Sequence, residues 1–215
     1  MTIKPEVIIV DYGLGNILSV KRAVEECGGL PIISSDKNLI KSKNKIILPG
    51  VGAFKAGMSN LNRLGLSEVI IEISKKNKHL LGICLGMQLL FSESSEFGKT
   101  HGLNIIPGKV LPISSLSSES VKVKVPHIGW KSLIISQENL KLNFVLNNYK
   151  HDDYLYFLHS FMAVPNKNFY RIADFLYEKN RISAIVKKGN TIGFQFHPEK
   201  SGNVGIKLLS NWIKQ

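Results

Sequence analysis

Apolar positions in the first half of the chain alternate between two rhythms. Glu6 to Asp11 encloses the unbroken apolar run Val7 to Val10, the pattern of a strand covered on both faces. Asn16 to Cys27 follows with Ile17, Val20, Val24 and Cys27 on one side, which predicts an amphipathic helix stopped by Gly28-Gly29. Leu30 to Ser34 and Lys45 to Leu48 read as strands, and Lys55 to Lys76 as a helical region broken near Gly65. Leu80 to Ile83 reads as a fourth strand and Leu85 to Glu93 as a helix. Strands separated by helices of this length predict a parallel sheet with helices on both faces.

After Gly98 the rhythm shortens. Strand candidates are Lys109 to Ile113, Val121 to Val125, Lys131 to Ile135, Tyr154 to Leu158, Tyr170 to Tyr177, Ala184 to Lys188 and Thr191 to Phe196. Lys187-Lys188-Gly189-Asn190 has the chemistry of a hairpin turn. Ser114 to Ser120 is serine-rich and reads as a mobile loop, and Val204 to Ile213 closes the chain as a helix. The expectation is an α/β fold: a mostly parallel central sheet flanked by helices, with antiparallel strand additions. A length of 215 residues without internal repeats fits one domain over 1–215.

Composition narrows the function. The chain is 44% hydrophobic and 20% charged, ordinary for a globular protein. Its first apolar run is too short and too charged for a signal peptide, and no later run reaches membrane-spanning length, so a cytoplasmic location is expected. The net charge of +12 invites a nucleic-acid reading, but the only arginines are Arg22, Arg63, Arg171 and Arg181. The remaining basic residues are lysines scattered from Lys4 to Lys214, without the focused arginine-and-aromatic patch of a base or phosphate reader. Two cysteines, Cys27 and Cys84, form no zinc-type set with the histidines, so neither a metal nor a cofactor is expected.

Three segments carry candidate chemistry. In Gly82-Ile83-Cys84-Leu85-Gly86 a thiol sits between an apolar strand and an apolar helix, with glycines two residues to either side. A nucleophile on a strained strand-to-helix turn needs such small neighbours. The helix N-terminus favours the thiolate, and its free amides can hold an oxyanion. Alone, the pentapeptide fits a buried structural cysteine beside two packing glycines equally well. Phe196-His197-Pro198-Glu199 ends a strand, and a carboxylate two residues from an imidazole can orient it as a base. Pro49-Gly50-Val51-Gly52 follows another strand and offers backbone amides for a tetrahedral intermediate. Cys27, on the apolar side of its helix, reads as core.

Taken in order, these segments resemble a class I, triad-type glutamine amidotransferase with a flavodoxin-like core. The match to Gly82-Ile83-Cys84-Leu85-Gly86-Met87-Gln88 and Phe196-His197-Pro198-Glu199 is specific and runs over essentially the whole chain. More narrowly, the chain resembles the glutaminase subunits of imidazole glycerol phosphate synthases. Asp11-Tyr12-Gly13-Leu14-Gly15-Asn16, Pro126-His127-Ile128-Gly129-Trp130, His159-Ser160 and Pro198-Glu199-Lys200-Ser201 carry that match.

The resemblance implies Cys84 as nucleophile, His197 as base and Glu199 as its orienter. It implies an oxyanion site at Leu85 and the Val51-Gly52 loop, and contacts to L-glutamine from Gly50, Gly52, Gln88, Glu96 and Ser160. Gln88 lies one helical turn after Cys84 and so shares its face. The implied partner is a (β/α)8-barrel synthase subunit in a heterodimer, met by Asn16, Trp130 and Lys200, that makes imidazole glycerol phosphate and AICAR for histidine biosynthesis. Trp130 also fits a core anchor. The chain departs from the usual pattern at Lys131, where Asn is usual, and at Phe161, where Tyr is frequent. An alternative acceptor in such families is a bacterial surface sugar. Outside the family, a lone-acting cysteine hydrolase or a non-catalytic regulator would share the fold but would not need Gln88, Glu96 or an intact triad.

Overall fold

The computed structural model describes residues 4–117 and 122–215, with Lys141 and Leu142 described for their backbone. In chain order the elements are β1 (Glu6–Val10), α1 (Ile17–Glu26), β2 (Leu30–Ser34), α2 (Lys37–Ser42), β3 (Lys45–Leu48), α3 (Phe54–Arg63), α4 (Ser67–Lys75), β4 (His79–Ile83) and α5 (Leu85–Leu89). Then come β5 (Phe91–Ser94), β6 (Thr100–His101), β7 (Ile106–Pro112), β8 (His127–Lys131), α6 (Gln137–Leu142), β9 (Leu155–His159) and β10 (Phe161–Pro165). The chain ends with β11 (Arg171–Tyr177), β12 (Asn180–Lys188), β13 (Thr191–Phe194) and α7 (Gly202–Lys214).

The main sheet runs β11-β12-β13-β4-β3-β1-β2. From β13 to β2 all neighbours are parallel, and β12 pairs antiparallel with both β11 and β13. The period-two geometry of a strand divides the apolar residues between two cores. Val7, Ile9, Ile47, Leu81 and Ile83 face one side, where α1 and α7 supply Val20, Val24, Leu208, Leu209 and Trp212. Ile8, Val10, Ile46, Leu48 and Leu80 face the other, against Met58 and Leu61 of α3, Val69 and Ile70 of α4, and Leu85 and Met87 of α5. Each fully buried side chain of this size contributes ~1.5–3 kcal/mol, so both layers are needed to hold the strands flat against their helices.

The first half matches its expected elements within a residue or two, except at α5. That helix ends at Leu89 rather than Glu93, and Phe91–Ser94 becomes β5, paired parallel with β7 and antiparallel with β6. The β-type alternation of Phe91-Ser92-Glu93-Ser94 yields to pairing with residues that arrive later in the chain, a non-local contact that overrides helical rhythm. Two short helices escaped the periodicity because each rests on its cap. Asp36 accepts from the Leu39 amide (2.6 Å) ahead of α2, and Ser136 from the Asn139 amide (3.1 Å) ahead of α6.

Two expected strands are corrected. Lys122 to Val125 joins no sheet: Val123 buries its side chain from an irregular segment, and Pro126 offers no amide for a ladder. Val121 lies outside the described residues. Of Lys131 to Ile135 only Lys131 is in a strand, at the end of β8, while Ile134 makes a single bridge to Asp174. Pairing of β8 with β9 starts at His127 opposite His159, which shifts the strand toward the N-terminus of the expected one. Ile113–Leu116 form a 3-10 turn that leads into the serine-rich segment, whose residues Ser118 to Ser120 lie outside the described residues. Among the described residues no helix is long and apolar enough to cross a membrane.

Candidate active site

Strand order reverses between β1 and β3, and the loops after β1, β3, β4 and β13 gather at the carboxyl ends of the parallel strands, where open α/β sheets place their ligands. Cys84 joins β4 to α5 with φ 53° and ψ −110°, a positive-φ geometry that strains an L-residue. The sequence permits it because Gly82 and Gly86 leave room. A Cβ on Gly82 would lie 2.7 Å from the Gly86 carbonyl oxygen, and one on Gly86 would overlap the Leu48 carbonyl. The Cys84 amide donates to the Phe194 carbonyl (2.7 Å), tying the turn to β13.

Three residues beyond β13, His197 is buried. Its Nδ1 donates to Glu199 Oε1 at 2.8 Å, leaving Nε2 for the cleft. The rigid Pro198 starts a 3-10 turn that brings the carboxylate back under the ring, and the Ser201 hydroxyl donates to the His197 carbonyl (2.6 Å). Burial alone lowers the basicity of His197. Hydrogen-bonding and charge interactions with Cys84 and Glu199 outweigh it and raise the pKa to about 10. In this conformation the thiol itself donates to the Leu158 carbonyl (3.8 Å) and accepts from the Gln195 amide (3.9 Å).

These groups share one cleft of about 310 Å³, at the small end of the range for ligand sites. Val51, Gly52, Cys84, Leu85, Gln88, Glu96, Ser160 and His197 all line it. Glu199 stands behind the imidazole with its side chain 1% exposed. Gly50, in the same loop, is buried and not among the cleft-lining residues, and a Cβ there would come within 2.5 Å of the Tyr12 hydroxyl. Tyr12 in turn donates to the Pro49 carbonyl (2.7 Å) and holds the Pro49–Gly52 loop from below. Glu96 accepts from the Phe54 amide (2.6 Å) and so caps α3 while facing the cleft. Gln88 Nε2 donates to the Phe161 carbonyl and to Gln195 Oε1, both at 3.1 Å.

Asn16, Trp130 and Lys200 are not among the residues that line the cleft. Asn16 precedes α1 without capping it through its side chain, and Lys200 is exposed on the turn after His197. Trp130 is 51% exposed, which sets aside a core-anchor role. Register pairs Ile128 with Leu158 and Trp130 with Tyr156, so one apolar face of the β8–β9 ribbon borders the cleft. Lys131 extends over the Tyr177 ring at 5.8 Å. Cys27 donates to the Ile206 carbonyl, and burial, with Glu26 adding to it, pushes its thiol up to about 12, an inert packing residue. Sequence reasoning assigned no role to Tyr12, the Leu158 carbonyl or Gln195. Only Gln195 left a signal, as a lone amide inside the apolar run Ile192 to Phe196.

Comparisons with known proteins point to one family. Residues 8–215 match the family model for glutamine amidotransferase class-I. Imidazole glycerol phosphate synthase subunit HisH 1 of Legionella pneumophila (strain Paris) is 42% identical over 209 residues, spanning 97% of this chain and 98% of that one. Imidazole glycerol phosphate synthase subunit HisH of Geobacillus sp. (strain WCH70) is 41% identical over 204 residues, spanning 95% and 94%. Among solved structures, a glutamine amidotransferase superposes with a TM-score of 0.72 at 15% identity, covering 97% of both chains. The structure of PurLQS from Thermotoga maritima superposes with a TM-score of 0.70 at 21% identity, covering 99% of both. At those identities the structural likeness speaks for the fold, and the family model and the near full-length relatives speak for descent. The chain belongs to the class-I glutamine amidotransferase family.

Proposed function

We propose that the chain is the glutaminase subunit of an imidazole glycerol phosphate synthase, hydrolysing L-glutamine to glutamate and ammonia. The observation that carries this reading is the single cleft holding a strained thiol, a carboxylate-oriented imidazole and Gln88. His197 Nε2 takes the Cys84 proton, and the thiolate attacks the glutamine carboxamide carbon. The oxyanion is held by the Leu85 amide and an amide of the Val51-Gly52 loop. Collapse breaks the C–N bond, with the imidazolium proton going to the departing nitrogen, and ammonia leaves. Water then attacks the thioester, returns its proton through His197 to sulfur, and releases glutamate. Gly50, Gly52, Gln88, Glu96 and Ser160 hold the substrate, with the Glu96 carboxylate suited to its ammonium group.

The whole chain acts as one glutaminase domain in a cytoplasmic heterodimer. Its partner is a (β/α)8-barrel synthase subunit that consumes the ammonia to make imidazole glycerol phosphate and AICAR in histidine biosynthesis. Asn16, Trp130 and Lys200 meet that partner, supported by the exposed apolar face of β8 and β9 beside the cleft mouth. The names of the relatives favour this acceptor over a surface sugar. The test is glutamate release from glutamine by the purified chain, alone and with a barrel-type synthase subunit carrying its imidazole-pathway ligand. Strong stimulation is expected. Absence of hydrolysis under both conditions would overturn the glutaminase, and hydrolysis without stimulation would overturn the partner.

A further inference from the structure

Gln195 is fully buried, two residues before His197, and among the described residues its side chain hydrogen-bonds Gln88 and the Cys84 sulfur. Which end of its carboxamide faces the sulfur follows from a chain of necessity. The Phe161 carbonyl can only accept, so the group on Gln88 that meets it at 3.1 Å is the NH2. The second hydrogen of that NH2 points at Gln195 at 3.1 Å, so the atom receiving it is the Gln195 oxygen. The Gln195 NH2 is therefore the end that lies 3.9 Å from Cys84 Sγ. His159 reinforces the anchor, because its Nδ1 donates to the same Phe161 carbonyl at 2.8 Å.

We propose that Gln195 is a further catalytic residue of this site, an oriented N–H donor that favours the Cys84 thiolate over the thiol. The inference rests on the glutaminase reading for its purpose, and on geometry alone for its direction. While the sulfur keeps its proton, its donor contact is the Leu158 carbonyl. Once the proton passes to His197, that carbonyl offers the thiolate nothing, and the Gln195 N–H becomes the donor already aimed at the new charge. A backbone carbonyl on β10 thus sets, through two amides, the polarity of the group touching the nucleophile. The other ionisable groups around the sulfur are His197 with Glu199, Tyr12, His159 and Glu96, and none of them hydrogen-bonds the Gln195 side chain.

The test is Gln195→Met, which keeps side-chain length and removes the donor. Iodoacetamide labelling of Cys84 in the full chain, read by peptide mass spectrometry to separate it from Cys27, is followed against pH. A hydrogen bond to a charged group predicts a profile displaced upward by about one pH unit and labelling about tenfold slower at pH 7. A folded variant whose profile coincides with wild type overturns the proposal. A second measurement needs no core variant. In wild-type chain carrying 15N-glutamine, the Gln195 side-chain amide signal follows the pH midpoint of labelling, and this movement disappears in Cys84→Ala. An amide signal that does not move through that midpoint also overturns it. If wild type labels normally yet hydrolyses no glutamine either alone or with the barrel-type subunit, the glutaminase reading fails while the labelling comparison still decides Gln195.

Discussion

His197 Nδ1 and Glu199 Oε1 stand 2.8 Å apart, with the two side chains 4% and 1% exposed. Burial lowers the basicity of His197, but its Cys84 and Glu199 partners more than offset this and raise its pKa to about 10 from the ordinary 6.5. A folded-state value above the unfolded one adds stability that is complete below about pH 6.5 and is lost as pH climbs through about 10. The melting temperature of the wild-type chain therefore falls across that window. In Glu199→Gln the fall is smaller, and glutamine hydrolysis drops by ~10²–10⁴-fold because the imidazole loses its orienting charge. Differential scanning fluorimetry across pH, with glutamate assays, checks both.

The strain at Cys84 is separable from its chemistry. Cys84→Ala and Cys84→Gly both abolish hydrolysis, but only glycine relieves the positive φ of 53°. Cys84→Gly is expected to be more stable than Cys84→Ala by ~1–2 kcal/mol in urea unfolding. Equal stability would mean that the elbow stores no strain.

Glu96 serves the helix and the cleft with one carboxylate. Glu96→Ala removes the acceptor for the Phe54 amide and is expected to cost ~1 kcal/mol of stability, the size of a lost N-cap. It also raises KM for glutamine. Glu96→Gln keeps an acceptor for Phe54 and recovers most of the stability, while KM stays high because the charge is gone. Parallel melting and kinetic measurements separate the two effects.

Tyr12 supports the Pro49–Gly52 loop by one hydrogen bond. Tyr12→Phe leaves the Pro49 carbonyl without that donor and is expected to destabilise by ~1 kcal/mol. A loosened loop presents its amide less well to the oxyanion than to the ground state, so kcat falls while KM holds nearly constant. An unchanged kcat in the purified variant would remove Tyr12 from the machinery.

Trp130 is half exposed and buries little in the isolated chain. Trp130→Ala is expected to leave its melting temperature within a degree or two, on the order of a surface substitution. Affinity for the barrel-type subunit, measured by calorimetry, should fall by at least about tenfold if the indole is an interface anchor.

Much of the molecule was legible before folding was considered. Parallel strands from β1 to β4, the glycine-flanked elbow and the histidine–glutamate pair are all written in local signals: apolar period, turn residues and fixed short spacings. Those signals act within a few residues, so the chain declares them by itself. Tertiary structure decided what distant segments must settle together. The end of α5 at Leu89 is one case, because Phe91–Ser94 pairs with a strand that begins at Ile106. The double duty of Glu96 is another, since it requires the loop after β5 to reach the start of α3, 42 residues back. The polarity of the Gln195 amide depends on a carbonyl at Phe161 in β10 and an amide at Gln88 in α5, both distant in the chain. Buried polar groups take their orientation from whichever partners packing supplies, and no periodicity along the chain encodes that choice.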